Sequence, residues 1–120
     1  MEGRREVPVF EDQIRSIVID LLVMLADRDY ESIMERCAGS RVSGDDLQAA
    51  ISDYGRTVIA PPADYKFFRM IELDARAVPT WSVEADVWTE EEGASDLTLQ
   101  LTIAFEPDGP LVEIDGLNVL

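Results

Sequence analysis

Between Thr80 and Phe105 the sequence TWSVEADVWTEEEGASDLTLQLTIAF alternates apolar and polar residues almost without a break. A period of two is the pattern of a strand, whose successive side chains point to opposite faces of a pleated sheet. Trp81, Val83, Ala85 and Val87 therefore share one face, and Ser82, Glu84, Asp86 and Trp88 the other. The next segment repeats the split, with Leu97, Leu99, Leu101, Ile103 and Phe105 set against Thr98, Gln100, Thr102 and Glu106. TEEEGAS between these segments and EPDGP after them supply Gly, Pro, Asp and Ser where hairpins reverse, so the strands form a meander. In LVEIDGLNVL the apolar residues change parity, from Val112 and Ile114 to Leu117 and Val119, which predicts a bulge at Gly116. The earlier segment YKFFRMIELDA is apolar on both parities, and its register stays open.

The first half has the other period. Phe10, Ile14, Ile17, Val18, Leu21, Leu22 and Leu25 recur every three or four residues and define one stripe of a helix over residues 9–26. Ile19 and Val23 lie off that stripe, so the helix is expected to be covered on two sides, by the sheet and by other helices or a second subunit. A short second helix follows in DRDYESIMERC, with Asp29 as N-cap, Tyr30, Ile33, Met34 and Cys37 buried, and Gly39 at the C-terminal cap. A third opens at Ser43, where SGDD places an acid three residues after the serine as in a capping box, buries Leu47, Ile51 and Tyr54, and stops at Gly55. The expected architecture is α+β: N-terminal helices packed on a curved, mostly antiparallel four-stranded meander. Residues 9–120 form one domain, and residues 1–8 are read as an arm.

Charge narrows the partners. The chain has 120 residues and a net charge of -15, and residues 61–120 hold 13 of its 25 acidic residues but only 3 of its 10 basic ones. Nucleic acid and anionic membrane are poor partners for such a surface, because phosphate binding needs Lys and Arg to displace counterions. A basic protein suits it better; an arginine-biased or salt-adapted proteome would produce the same acidity without any partner. The one cysteine, Cys37, excludes an intramolecular disulfide. The longest apolar run, IVIDLLVMLA, is too short to cross a bilayer, carries Asp20, and is neither preceded by a signal-like basic region nor followed by a small-residue cleavage site. A cytoplasmic protein is expected.

Catalytic chemistry has few candidates. With no histidine, neither a Ser-His nor a Cys-His pair can be assembled, and no imidazole is available as a base near neutral pH. Asp20 is the one acid inside the apolar helical run; in a pocket its pKa would be raised toward general acid-base use, and beside Ser16 and Asp27 it would simply face water. Glu90, Glu91, Glu92 and Asp96 lack calcium-loop spacing, and a glutamate run at a turn is ordinarily solvated. No phosphate loop is present. No cofactor or metal is expected, and the balance leans away from an enzyme.

The sheet face of the opening stretch is the candidate that remains. Glu84, Asp86, Trp88, Thr98, Gln100 and Thr102 share the outer side of adjacent strands, where a large aromatic among carboxylates has the composition of an interface for a basic partner. Alternatively, Trp88 tucks under the N-terminal arm, a helix end or a second copy, and the acids keep the sheet soluble.

The segment LLVMLADRDYESIMERCAGSRVSGDDLQAAISDYG, a long helix followed by two shorter ones opening at DYE and SGDDL, resembles the helical half of NTF2-like (cystatin-like) domains. The phrases PTWSV, SDLTL and EIDGL are similar to those of an uncharacterised family of small acidic bacterial proteins. The NTF2-like resemblance implies a cone, with a curved sheet around the long helix and a pocket between them that different members use for catalysis or for binding. Asp20, Tyr54, Phe68, Met70 and Trp81 are the residues of this chain that would line it. Three functions follow: a non-enzymatic protein-binding module, in its most specific form an acidic immunity or inhibitor protein; a small-ligand-binding or weakly catalytic NTF2-like protein; and a structural homodimer unit joined sheet to sheet.

Overall fold

The computed structural model describes residues 2–120, with side chains from Phe10 onward. Helix α1 spans Glu2–Ala26, α2 Tyr30–Arg36 and α3 Gly44–Tyr54, followed by strands β1 Phe68–Glu72, β2 Thr80–Thr89, β3 Gly93–Glu106 and β4 Gly109–Val119. Of the arm expected at residues 1–8, Met1 and all the side chains lie outside the described residues, and the backbone from Glu2 belongs to α1.

The helix boundaries follow local chemistry. Asp29 caps α2 by accepting the Ser32 N–H at 3.2 Å. That helix ends at Cys37, and Gly39, two residues on, takes the left-handed φ of 88° that turns the chain toward α3. At α3 the expected capping box is complete: Ser43 Oγ accepts from Asp46 N at 3.1 Å, and Asp46 Oδ2 accepts from Ser43 N at 2.9 Å. Two orphan donors of the first turn are thereby satisfied.

The four strands pair in chain order, β1-β2-β3-β4, and every pairing is antiparallel, so the sheet is open, with β1 and β4 at its edges. Its core face meets α1. Ile14, Ile17, Val18, Leu21, Leu22 and Leu25 are buried against Trp81, Val83, Ala85, Leu99, Leu101 and Ile103, and Ile33, Cys37, Leu47 and Ile51 close the end. Ile19 and Val23, expected to gain a second cover, are half-buried. The anticipated bulge appears where Ile114 pairs with Leu101 and Gly116 with Gln100, leaving Asp115 as the extra residue. Leu117 is thus returned to the core, whereas Val119, expected beside it, is 59% exposed at the end of the sheet. A second register shift falls between Asp86 and Trp88.

The proline-containing segment after α3 is tied to the sheet rather than looping free. Val58 bridges Thr89, Ile59 N–H donates to Trp88 O at 3.1 Å, and Glu90 N–H donates to Thr57 O at 2.9 Å. The end of β2 that outruns the short β1 is covered in this way. Tyr65 then enters the core completely, and its hydroxyl lies 2.7 Å from both Phe67 O and Asp86 O.

Candidate functional site

The outer face of the sheet carries Glu84, Asp86, Gln100 and Thr102 as a contiguous patch, because Glu84 opposes Gln100 and Thr102 opposes Ser82. The patch contains a cation that the strands β2 and β3 do not supply. Arg69 of β1 sits directly across from Glu84, its Nε 3.4 Å from Glu84 Oε1 and its Nη2 3.2 Å from Asp86 Oδ1. Partial burial works against its charge, but the hydrogen bonds and charges of Asp86 and Glu84 outweigh that and hold its pKa above the ordinary value. All three side chains keep contact with water, so each pair is worth only about 0.2–1 kcal/mol. Along β4 the face continues with Glu113 and Asp115, the latter accepting from Thr102 Oγ1 at 2.6 Å. Gln100 Oε1 accepts from Asn118 Nδ2 at 3.2 Å.

The other two members of the expected face are placed differently. Thr98 opposes Asp86 but is only 3% exposed, its hydroxyl donating to Asp96 O at 3.2 Å. Trp88, beyond the register shift, is half-buried in an aromatic group. Its ring lies 6.2 Å from Tyr65 and nearly perpendicular to it, and 5.5 Å from Phe67.

The residues named for a pocket do not converge. Asp20 stands on the solvent side of α1, paired with Arg36 at 3.2 Å. Trp81 is buried beside Phe10 at 6.0 Å, at the end of the sheet away from the β2–β3 turn, and its Nε1 has no acceptor among the described residues. Phe68 and Met70 pack half-buried on the inner side of β1. Tyr54 lies at the other end, where its hydroxyl donates to Glu92 at 2.9 Å and accepts the Asp96 N–H at 3.2 Å. Tyr54 instead lines a groove of about 650 Å³ between α3 and the end of β4.

The glutamate run has a structural role at the same end. Glu91 accepts the N–H and the hydroxyl of Thr57, each at 2.9 Å, and these bonds lower its pKa below the ordinary value. Glu92 receives Tyr54 and Thr89. The β2–β3 turn is therefore a clasp on the C-terminal end of α3. Cys37 offers no nucleophile, since burial pushes its thiol up to about 11, with Arg36 pulling weakly the other way. Among the described residues no three His, Cys, Asp or Glu side chains are grouped as metal ligands, and no helix is long and apolar enough to cross a membrane.

Arg69, Tyr65 and the groove were not identified from sequence. With Phe68 and Met70 inward, Arg69 and Ile71 point outward, but the pairing of Arg69 with Glu84 is set only by the β1–β2 register. A family model described as "Domain of unknown function (DUF7668)" matches residues 22–120, from the C-terminal end of α1 through the whole sheet. Comparison with curated proteins and with solved structures finds no match.

Proposed function

The chain belongs to this family of unknown function, and on that premise we propose that it is a non-enzymatic protein-binding module that receives a basic partner on the outer face of its sheet. The observation that carries the reading is the composition of that face. Its helices pack on the opposite side, and Glu84, Asp86, Glu113 and Asp115 stand there, with Arg69 paired to Glu84 and Asp86 and Arg41 only 4.0 Å from Asp115 at the margin. A partner's Lys or Arg side chains would compete with Arg69 for Glu84 and Asp86, replacing weak, solvated internal pairs with intermolecular ones. An inhibitor or immunity protein blocking a basic target is the most specific form of this role.

The NTF2-like order of helices before a bent meander belongs to the same reading, with the sheet used from outside. The space between α1 and the sheet is filled by Ile17, Leu21, Trp81, Val83 and Leu101, all in one buried cluster. That packing favours a surface over an interior pocket.

The test is a pull-down from native extract at low and high salt with wild type, the double variant Glu84→Gln/Asp86→Asn, and Arg69→Gln. A basic protein held by wild type, released by salt, weakened by the double variant and strengthened by Arg69→Gln is the expected result. Equal capture by three folded forms would remove the sheet face from consideration.

A further inference from the structure

The sheet ends in β4, and an edge strand presents unpaired backbone groups that a folded protein ordinarily blunts or covers. Among the described residues, cover is present only along part of this edge. At Ile114 the α2–α3 connection supplies it: Ile114 N–H donates to Ser40 Oγ at 2.8 Å, and Arg41 N–H donates to Ile114 O at 3.1 Å. Past that point the groove of about 650 Å³ opens between α3 and residues 115–119 of the strand.

The register fixes which backbone groups face the groove. Asp86 donates its N–H to Phe67 O, so its backbone bonds toward β1, and its partner Thr98 must bond the other way, toward Asn118 of β4. Leu117 and Val119, on either side of Asn118, consequently direct their N–H and C=O groups out of the sheet. Along α3, Asp46, Ala50 and Asp53 recur at helical spacing as the facing wall, and Leu47 and Leu97 form an apolar floor. No Lys or Arg is among the lining residues; Asp53 and Asp46 supply the charge, Asp46 also accepting the Ser43 N–H, whereas the Asp115 carboxylate lies on the outer face, accepting from Thr102 Oγ1 at 2.6 Å with Arg41 4.0 Å away.

We propose that this groove takes an extended, lysine- or arginine-rich segment of another protein, which adds to the sheet beside β4 as a fifth strand. Main-chain bonds to Leu117 and Val119 would give affinity, and alternate side chains would meet the floor and the aspartates. Residues 115–119 span about 16 Å of extended chain, room for about five residues of the partner. A second copy of this chain is the poorer occupant, because each copy carries a net charge of -15 and would set carboxylates against carboxylates. The inference shares with the proposed function only the class of partner; the surface is a different one.

The experiment uses the full chain and a blocked octapeptide of alternating Lys and Val, followed by amide NMR shifts and hydrogen exchange at low salt. Binding is expected to shift residues 115–119 and α3 and to slow exchange at Leu117 and Val119. Val119→Pro removes an outward N–H without touching a bond to β3, and should weaken binding about tenfold, the factor for one lost hydrogen bond. Asp53→Lys should weaken it severalfold and reduce its salt dependence, a Glu-Val peptide should not bind, and Glu84→Gln/Asp86→Asn should remove any peptide-induced shifts on the outer face while those at residues 115–119 persist. That double variant separates failure of the groove from failure of the sheet face. No shift at millimolar Lys-Val peptide, equal affinity in Val119→Pro, or shifts confined to Glu84 and Asp86 would each overturn the proposal. So would concentration-dependent changes at residues 115–119 without peptide, which would make the occupant a second copy.

Discussion

Replacing Tyr65 by Phe removes one oxygen from the interior and leaves the ring. In the native fold that hydroxyl lies 2.7 Å from Phe67 O and 2.7 Å from Asp86 O, with a single proton for the two carbonyls. Phe67 O has a second donor, the Asp86 N–H at 3.0 Å. Asp86 O therefore depends on the hydroxyl, which substitutes for the ladder bond that β1 would supply if it began one residue earlier. Leaving a buried acceptor without its donor costs about 1–3 kcal/mol. With an unfolding entropy of about 2.1 cal/mol/K per residue, a chain of this length loses about 8 °C in Tm for about 2 kcal/mol. Tyr65→Leu should cost more, about 3–5 kcal/mol, because the cavity left by the ring is added. Urea titration followed by tryptophan fluorescence and by far-UV circular dichroism measures both variants.

Alkaline pH provides a second measurement on the same pair of proteins. Burial, reinforced by the charge of Asp86, raises the Tyr65 pKa above its ordinary 10.0. A raised folded pKa means that the stabilisation is complete below the unfolded value and is lost as pH climbs from there toward the folded one. Wild type should therefore lose about 1.4 kcal/mol relative to Tyr65→Phe between pH 9 and pH 11, narrowing their gap. A Phe variant within about 0.5 kcal/mol of wild type at pH 7, with no convergence at high pH, would refute the assignment of the hydroxyl as a ladder donor.

Three further outcomes can be checked on the same material. Cys37, with its thiol at about 11, should resist an aromatic disulfide reagent at pH 8 until urea unfolds the chain, and immediate labelling of the native protein would contradict its burial. Glu91 has a lowered pKa, so its contribution is present above its ordinary value of 4.5 and fades as pH falls through the folded value; Glu91→Gln and Thr57→Val should each flatten the acid limb of the urea midpoint between pH 5 and 3. Gly93 turns β2 into β3 at φ 71°, so Gly93→Ala should destabilise by about 1–2 kcal/mol and Gly93→Asn by less, measured by thermal unfolding.

How far the sequence discloses this molecule depends on whether a residue's role is set by its neighbours in the chain or by its neighbours in the sheet. The α1 stripe, the Ser43–Asp46 capping box, the inward set of β2 and β3 and the bulge near Gly116 are all local patterns, and each is found where its period or turn chemistry requires. Tyr65 and Arg69 are decided by pairing instead. YKFFRMIELDA is apolar on both parities, so its register against β2 cannot be read from its own residues, and that register alone carries Arg69 to Glu84. The same limit applies to the acids. The glutamates of TEEEGAS look solvated in the sequence because their donors, Thr57 and Tyr54, are more than thirty residues away. Counting carboxylates therefore overstates the charge open to a partner: Glu84, Asp86, Glu91 and Glu92 each already hold a donor from this chain. A partner for the sheet face must displace Arg69, whereas an added strand at β4 would meet backbone groups that nothing described in the chain occupies, which makes the edge the less costly of the two surfaces to bind.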